Sequence, residues 1–160
     1  MAIITLNNNS LSSVTALPAG VGGKVLQVVF GSTSTAVSTT AATLIDTGLS
    51  ATITPSSTSS KILVIVNHVD NDKNLGDCSQ KTHLFRGTTF ICEFSKYLNN
   101  TGDSTEQRTE TGTNFLDSPN TTSATTYKTQ FNKNSGSGTI TVQKDNTTST
   151  MTLMEIAGWL

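Results

Sequence analysis

Charge is scarce in this chain: only 21 of its 160 residues are Lys, Arg, Asp or Glu, with two histidines beside them. Catalytic pockets gather several ionisable groups with shifted pKa values. Charges spread this thinly favour binding over acid–base or metal chemistry, and the expectation is a protein that is not an enzyme. A formal net charge of −1, with no cluster of Lys or Arg, leaves no electrostatic footprint for nucleic acid or an anionic membrane. Long apolar runs are missing too, so no segment reads as a membrane-inserted helix. The opening MAIITLNNNSLSSV has neither a basic leader nor an apolar stretch of signal-peptide length, which predicts a mature chain beginning at or near Met1. Two cysteines, Cys78 and Cys92, make no disulfide framework. Apolar spacing at i, i+3, i+4 and i+7 is sustained nowhere, so no helix of any length is expected.

Uncharged polarity is what abounds. Thr, Ser and Asn supply 30, 19 and 13 residues, interleaved with β-branched runs such as KVLQVVF, KILVIV and TITVQ. Such a texture favours pleated sheet with hydroxyl-rich outer faces. The length suits one domain with a real core, yet the hydrophobic fraction of 34% is lean. Support from neighbouring copies of the chain would explain it; a thin two-sheet domain with much exposed surface is the other reading.

Residues 1–23 stand apart. An apolar patch at Ile3, Ile4 and Leu6, with Leu11 further on, leads into LPAGVGG, whose Pro and Gly residues separate an N-terminal arm from the body. The arm is expected to anchor the protein or exchange between subunits. From Lys24 onward strand signals recur between turn residues: 24–30, an edge strand or loop over 31–43, two short strands bent at Gly48 over 43–55, then 61–69, 82–94, 113–119, 123–133, 138–145 and 148–160. This predicts an all-β protein, an antiparallel β-sandwich of jelly-roll type over 24–160 with an extended N-terminal arm. Residues Ile62 to Val66 are apolar on both faces, so both faces of that strand should be covered, one by the core and one by a neighbouring subunit, a loop or the arm. A hairpin is expected around Arg86-Gly87-Thr88-Thr89, with Gly87 at the positive φ of a type II′ turn. Centred there, the ladder pairs Cys92 with His83 and sets Cys78 opposite Tyr97, too far for the sulfurs to bond. Both are expected as reduced, partly buried thiols.

Few residues form a chemical motif. Asp70, Asp72 and Asn74 alternate as in a calcium loop, but Leu75 and Lys81 stand where that loop needs Gly and Glu, so a solvated turn is the preferred reading. His68 and His83 lack metal-ligand spacing. His83 opposite Cys92 lacks a nucleophile elbow, which makes packing the better explanation. Glu155, in an otherwise apolar strand, should meet Arg or Lys or lie at a wet seam between subunits. Glu93, Glu106, Glu110 and Asp117 show no spacing that suggests a glycosidase pair. Sequons at Asn8, Asn99, Asn120 and Asn146 carry little weight in so Thr-rich a chain.

Five strings, GKVLQVV (23–29), DTGLSATITPSSTSSKILV (46–64), LFRGTT (84–89), FLDSPNTTSATTYK (115–128) and STMTLMEIAG (149–158), together resemble a β-sandwich module of marine or cyanobacterial tailed-phage virions. NNNSLSSVTALPAG resembles the short arm that precedes it. The resemblance covers nearly all of the chain from Lys24 and implies a homotrimeric virion protein made in the bacterial cytoplasm, a short tail fibre or receptor-binding appendage for host attachment. It implies no catalytic residue, cofactor or metal. The arm, through Ile3, Ile4, Leu6 and Leu11, would contact other virion proteins. The polar excursion 95–112 offers a receptor surface, with Tyr97 to stack on a host glycan and Asn99, Asn100, Asp103 and Arg108 to hydrogen-bond. The alternative is a capsid decoration protein that stabilises the shell; a glycan depolymerase is the least favoured.

Overall fold

The computed structural model describes residues 24–99 and 106–158. They form ten antiparallel strands, numbered here in chain order: β1 Val25–Thr33, β2 Val37–Thr39, β3 Ile45–Ile53, β4 Lys61–Lys73, β5 Ser79–Arg86, β6 Thr89–Leu98, β7 Gln107–Asp117, β8 Thr125–Ser135, β9 Ile140–Val142 and β10 Ser149–Ile156. Their one helical feature is a three-residue 3₁₀ turn at Lys144–Asn146. The strands divide into a six-stranded sheet, β1-β10-β4-β9-β2 with β7 on the far side of β4, and a four-stranded sheet, β3-β8-β5-β6. The two sheets face one another in a sandwich-like arrangement.

Alternation of side chains decides what is inside. In β3, Thr47, Leu49, Ala51 and Ile53 are buried while Asp46, Gly48, Ser50 and Thr52 face water; in β10, Met151, Leu153 and Glu155 are buried. Leu49, Ile53, Leu84 and Tyr127 of one sheet meet Ile62, Val64, Met151 and Leu153 of the other in the main core. Cys78, Phe131, Ile140 and Val142 make a smaller cluster capped by Val37 and Ile45. Gly31 of β1 lies tight against β3, where any Cβ would collide with the Ser50 carbonyl oxygen.

Several expectations need correction. β3 is one strand with a bulge, not two strands: Asp46 pairs with Gln130 and Ser50 with Lys128, so three residues around Gly48 (φ 83°) oppose one. β4 runs on through Lys73, so Asn71 and Asp72 are buried strand residues and not a solvated turn. The described ends of the 95–112 excursion are strand, 95–98 in β6 and 107–112 in β7. Gly87 does take positive φ (57°) in the β5–β6 turn, but bulges shift the ladder beyond it. His83 faces Glu93, Cys92 faces Leu84, and Tyr97 falls within an irregularity near the Gln80–Leu98 pair rather than opposite Cys78. Both cysteines are free, Cys78 buried and Cys92 partly so. Among the described residues the core covers one face of Ile62–Val66, and Ile65 lies exposed on the other.

Candidate interaction surfaces

Pairing across β3, β8, β5 and β6 builds an outer face rich in charge and aromatic rings. Ser50, Lys128, Phe85 and Phe90 form one row; Asp46, Gln130, His83 and Glu93 form the next. Asp46 accepts from Lys128 Nζ (2.9 Å) and Gln130 Nε2 (2.8 Å), and the Lys128 hydrogen bond holds its carboxyl below the usual carboxylate range. His83 Nε2 lies 3.2 Å from Glu93 Oε2. Burial pushes the His83 pKa down despite that carboxylate, and the imidazole sits between Glu93 and Phe90. Phe90, 54% exposed, packs edge-on to Phe85 at 5.8 Å and tilted to His83 at 5.9 Å. Beside the β3 bulge, Asp46, Gly48, Leu49, Ser50, Lys128 and Thr129 line an indentation of about 110 Å³. The face is therefore a rigid platform with one open aromatic ring among fixed donors and acceptors.

The outer face of the other sheet has different chemistry. Val28, Met154, Leu63 and Leu116 stand in one cross-strand row, with Phe30 and Ile65 in the next. These residues come from β1, β10, β4 and β7, strands whose inward positions fill the main core.

Between the sheets, beyond Val66, the interior turns polar. His68 is fully buried, its Nε2 2.9 Å from Thr129 Oγ1, and Thr129 Oγ1 is 2.6 Å from Thr47 Oγ1. With its oxygen accepting from His68 Nδ1 and Ser149 Oγ (3.0 Å each), the Gln143 amide donates to the Thr35 and Thr47 carbonyls (3.2 Å each). Asn71 donates to the carbonyls of His68 and Thr109 and accepts from Gln80 Nε2 at 3.1 Å. An imidazole beside a hydroxyl matches a general base beside a nucleophile, but Thr129 is fully buried, and burial lowers the His68 pKa to about 4. No substrate reaches this hydroxyl, and the pair serves packing.

The other singled-out residues have structural partners. Burial chiefly raises the Asp72 pKa, Lys144 Nζ lies 3.6 Å from its carboxylate, and Asn74 Oδ1 accepts from the Thr139 amide at 2.7 Å. Among the described residues no group of three or more His, Cys, Asp or Glu could hold a metal. Glu155 meets neither Arg nor Lys nor a wet seam: Ser56 N and Oγ donate to one oxygen (2.7 and 2.6 Å), Gln27 Nε2 to the other (2.6 Å). Burial alone would raise its pKa, yet these hydrogen bonds outweigh it and bring it to about 2. Asp117 accepts from Tyr127 (2.6 Å) and Arg86 (2.7 Å), while Glu93, Glu106 and Glu110 lie on other parts of the fold.

Of the expected receptor contacts, Tyr97 is 54% exposed with Lys96 Nζ 5.8 Å from its ring centre. Arg108 is exposed between Glu106 and Asp145. Asn99 is no contact: it is buried, and its amide donates to the Asn71 carbonyl at 2.8 Å. Asn100 and Asp103, like the anchor residues Ile3, Ile4, Leu6 and Leu11, lie outside the described residues. The Phe85–Phe90 platform escaped sequence reasoning because it draws on four strands far apart in the chain; an exposed Phe beside the hairpin turn was its only local sign. No helix among the described residues is long and apolar enough to cross a membrane. No protein-family model matches the chain, and no curated protein sequence matches it.

Proposed function

We propose that this chain is a structural, non-enzymatic module of a tailed-phage particle, a short fibre or receptor-binding appendage that works as a homotrimer. On this reading residues 1–23 hold it to other virion proteins, and the outer face of β3-β8-β5-β6 meets host surface glycans. The observation that carries the reading is that platform: a ring open to solvent stacks on a sugar, while the ordered Asp46, Lys128, Gln130 and Glu93 groups meet its hydroxyls. Tyr97 and Arg108 remain open for further contacts. Strand order adds support. Counting the eight long strands alone, the sheets run 1-8-3-6 and 2-7-4-5, the connectivity we read as a jelly roll, an architecture used by viral capsid and lectin domains alike. That fold-level argument is an analogy, and the sequence resemblance supplies the phage context.

The aliphatic face of β1, β10, β4 and β7 favours a second reading, a capsid decoration protein that clamps the shell. Imaging of intact particles separates the two, since a fibre sits at the tail and a decoration protein repeats over the shell. Phage carrying Phe90→Ala should adsorb to the host about 10-fold less well, the loss of about 1.4 kcal/mol of stacking. Unchanged adsorption with the variant folded and incorporated would remove the platform from the reading.

A further inference from the structure

We propose that the outer face of the six-stranded sheet is the surface against which a second copy of this chain packs. The inference rests on the reading that the module works as an assembly of copies, and it assigns the face that makes the contact.

Strand register gathers the apolar side chains. Val28, Met154, Leu63 and Leu116 line up across four strands, so what looks scattered in sequence is one continuous ridge. Phe30, Val28 and Leu116 are 64%, 57% and 55% exposed. A chain with a hydrophobic fraction of only 34% thus leaves some of its large apolar side chains in water, the mark of an interaction surface.

Charge is nearly excluded from the same area. From the Lys61–Ile156 row to the row of Ser32, Thr150 and Asn67, Lys61 is the single ionisable residue on this face. It stands at the margin and donates to Ser118 Oγ at 2.6 Å. The opposite outer face carries the Asp46–Lys128 and His83–Glu93 pairs, whose burial would cost desolvation. Only one of the two faces is ready to lose its water.

Size and shape favour a copy as occupant. Four strands spaced ~4.8 Å apart and eight residues rising ~3.3 Å each give a footprint of roughly 500 Å². Two such faces together remove roughly 1,000 Å², about where specific interfaces begin. A straight aliphatic ridge flanked by Thr and Asn can line a threefold axis, where each copy brings the same face against its neighbours as apolar sheets pack inside a domain.

The mass of the full chain in solution, read by sedimentation or light scattering across micromolar concentrations, tests this. The wild type should have the mass of an assembly. Phe30→Glu combined with Leu116→Glu should bring it to a single chain, weakening association by ~10-fold or more, while Phe90→Glu on the opposite face leaves the mass unchanged. If the acidic pair folds poorly, Phe30→Thr with Leu116→Thr keeps strand-forming side chains and should lower the mass in the same direction. A single-chain wild type overturns the proposal and leaves the face to residues 1–23 or a foreign protein. An assembly that keeps its mass in both folded double variants overturns it equally. Host adsorption tests the phage reading separately, so the failure of one is distinguishable from the failure of the other.

Discussion

Leu153 and His68 both point between the two sheets and both are fully buried, yet they belong to interiors of opposite kinds. Around Leu153 the space is filled by Leu49, Ile53, Val64, Leu84 and Met151. Around His68, on which the Phe94 ring stacks, it is filled by Thr47, Thr129, Gln143 and Ser149, with Asn71, Gln80 and Thr82 beyond. Apolar contacts have no direction, so the first region tolerates volume-conserving exchanges. Each polar group in the second must find its partner or lose the full cost of desolvation. The polar region therefore fixes geometry: Asn71 grips the carbonyls of His68 and Thr109 across the irregularity that separates their pairings. Aliphatic packing supplies stability, and the hydrogen-bonded end selects one register.

The largest effect expected on this contrast is in the aliphatic region. Leu153→Ala should cost about 4 kcal/mol through lost transfer energy and an uncollapsed cavity, read as a lower denaturant midpoint. Its loss should be nearly independent of pH.

Acid should act instead through the polar groups. His68 titrates near 6.5 unfolded and at about 4 folded. The unfolded chain thus binds the proton first, so the stability present above pH 6.5 falls as pH drops toward 4, by roughly 3 kcal/mol in all. Glu155, with a folded pKa of about 2 against 4.5, contributes stability that is present above 4.5 and is lost as pH falls toward 2, again roughly 3 kcal/mol. Unfolding free energies measured between pH 7 and 3 should show both windows. His68→Gln should flatten only the upper one and Glu155→Gln only the lower. A profile flat above pH 4.5 in the wild type would contradict the account of the polar end.

The smallest effect is expected from a single hydroxyl. Thr47→Val keeps the shape but removes a 2.6 Å bond to Thr129 and an acceptor for the Leu49 amide at 3.1 Å. It should cost about 1–2 kcal/mol in thermal or denaturant unfolding. A neutral result would mean that the Thr47 hydroxyl adds little to the network it joins.

Strand positions with alternating apolar residues were legible in the sequence. β1, β4 and β9 fall where the β-branched runs are, and Gly87 turns the hairpin as its position suggests. The run Asn-His-Val-Asp-Asn-Asp-Lys misled because its burial depends on partners from elsewhere: Gln80 and Asn99 for Asn71, Lys144 for Asp72. Bulges hid the true partners of His83 and Cys92, since each inserted residue moves the ladder on by one. Glu155 looked in need of a cation because a window of sequence shows no hydroxyls at Ser56, ninety-nine residues away. The surface platform was illegible for the same reason, assembled as it is from 46 to 130.

The placement of β10 has a consequence for synthesis. It lies between β1 and β4, hydrogen-bonded to both along most of its length, although it is made after every other described strand. Until residues 149–156 emerge, β1 lacks its one neighbour among the described strands of the six-stranded sheet, and β4 has an open edge. A nascent chain that ends before them cannot join β1 to β4, because β10 is what links them in the sheet. Closing the six-stranded sheet must then wait until residues 149–156 are made, and products that stop short of them should be handed to chaperones and proteases with their strand edges bare.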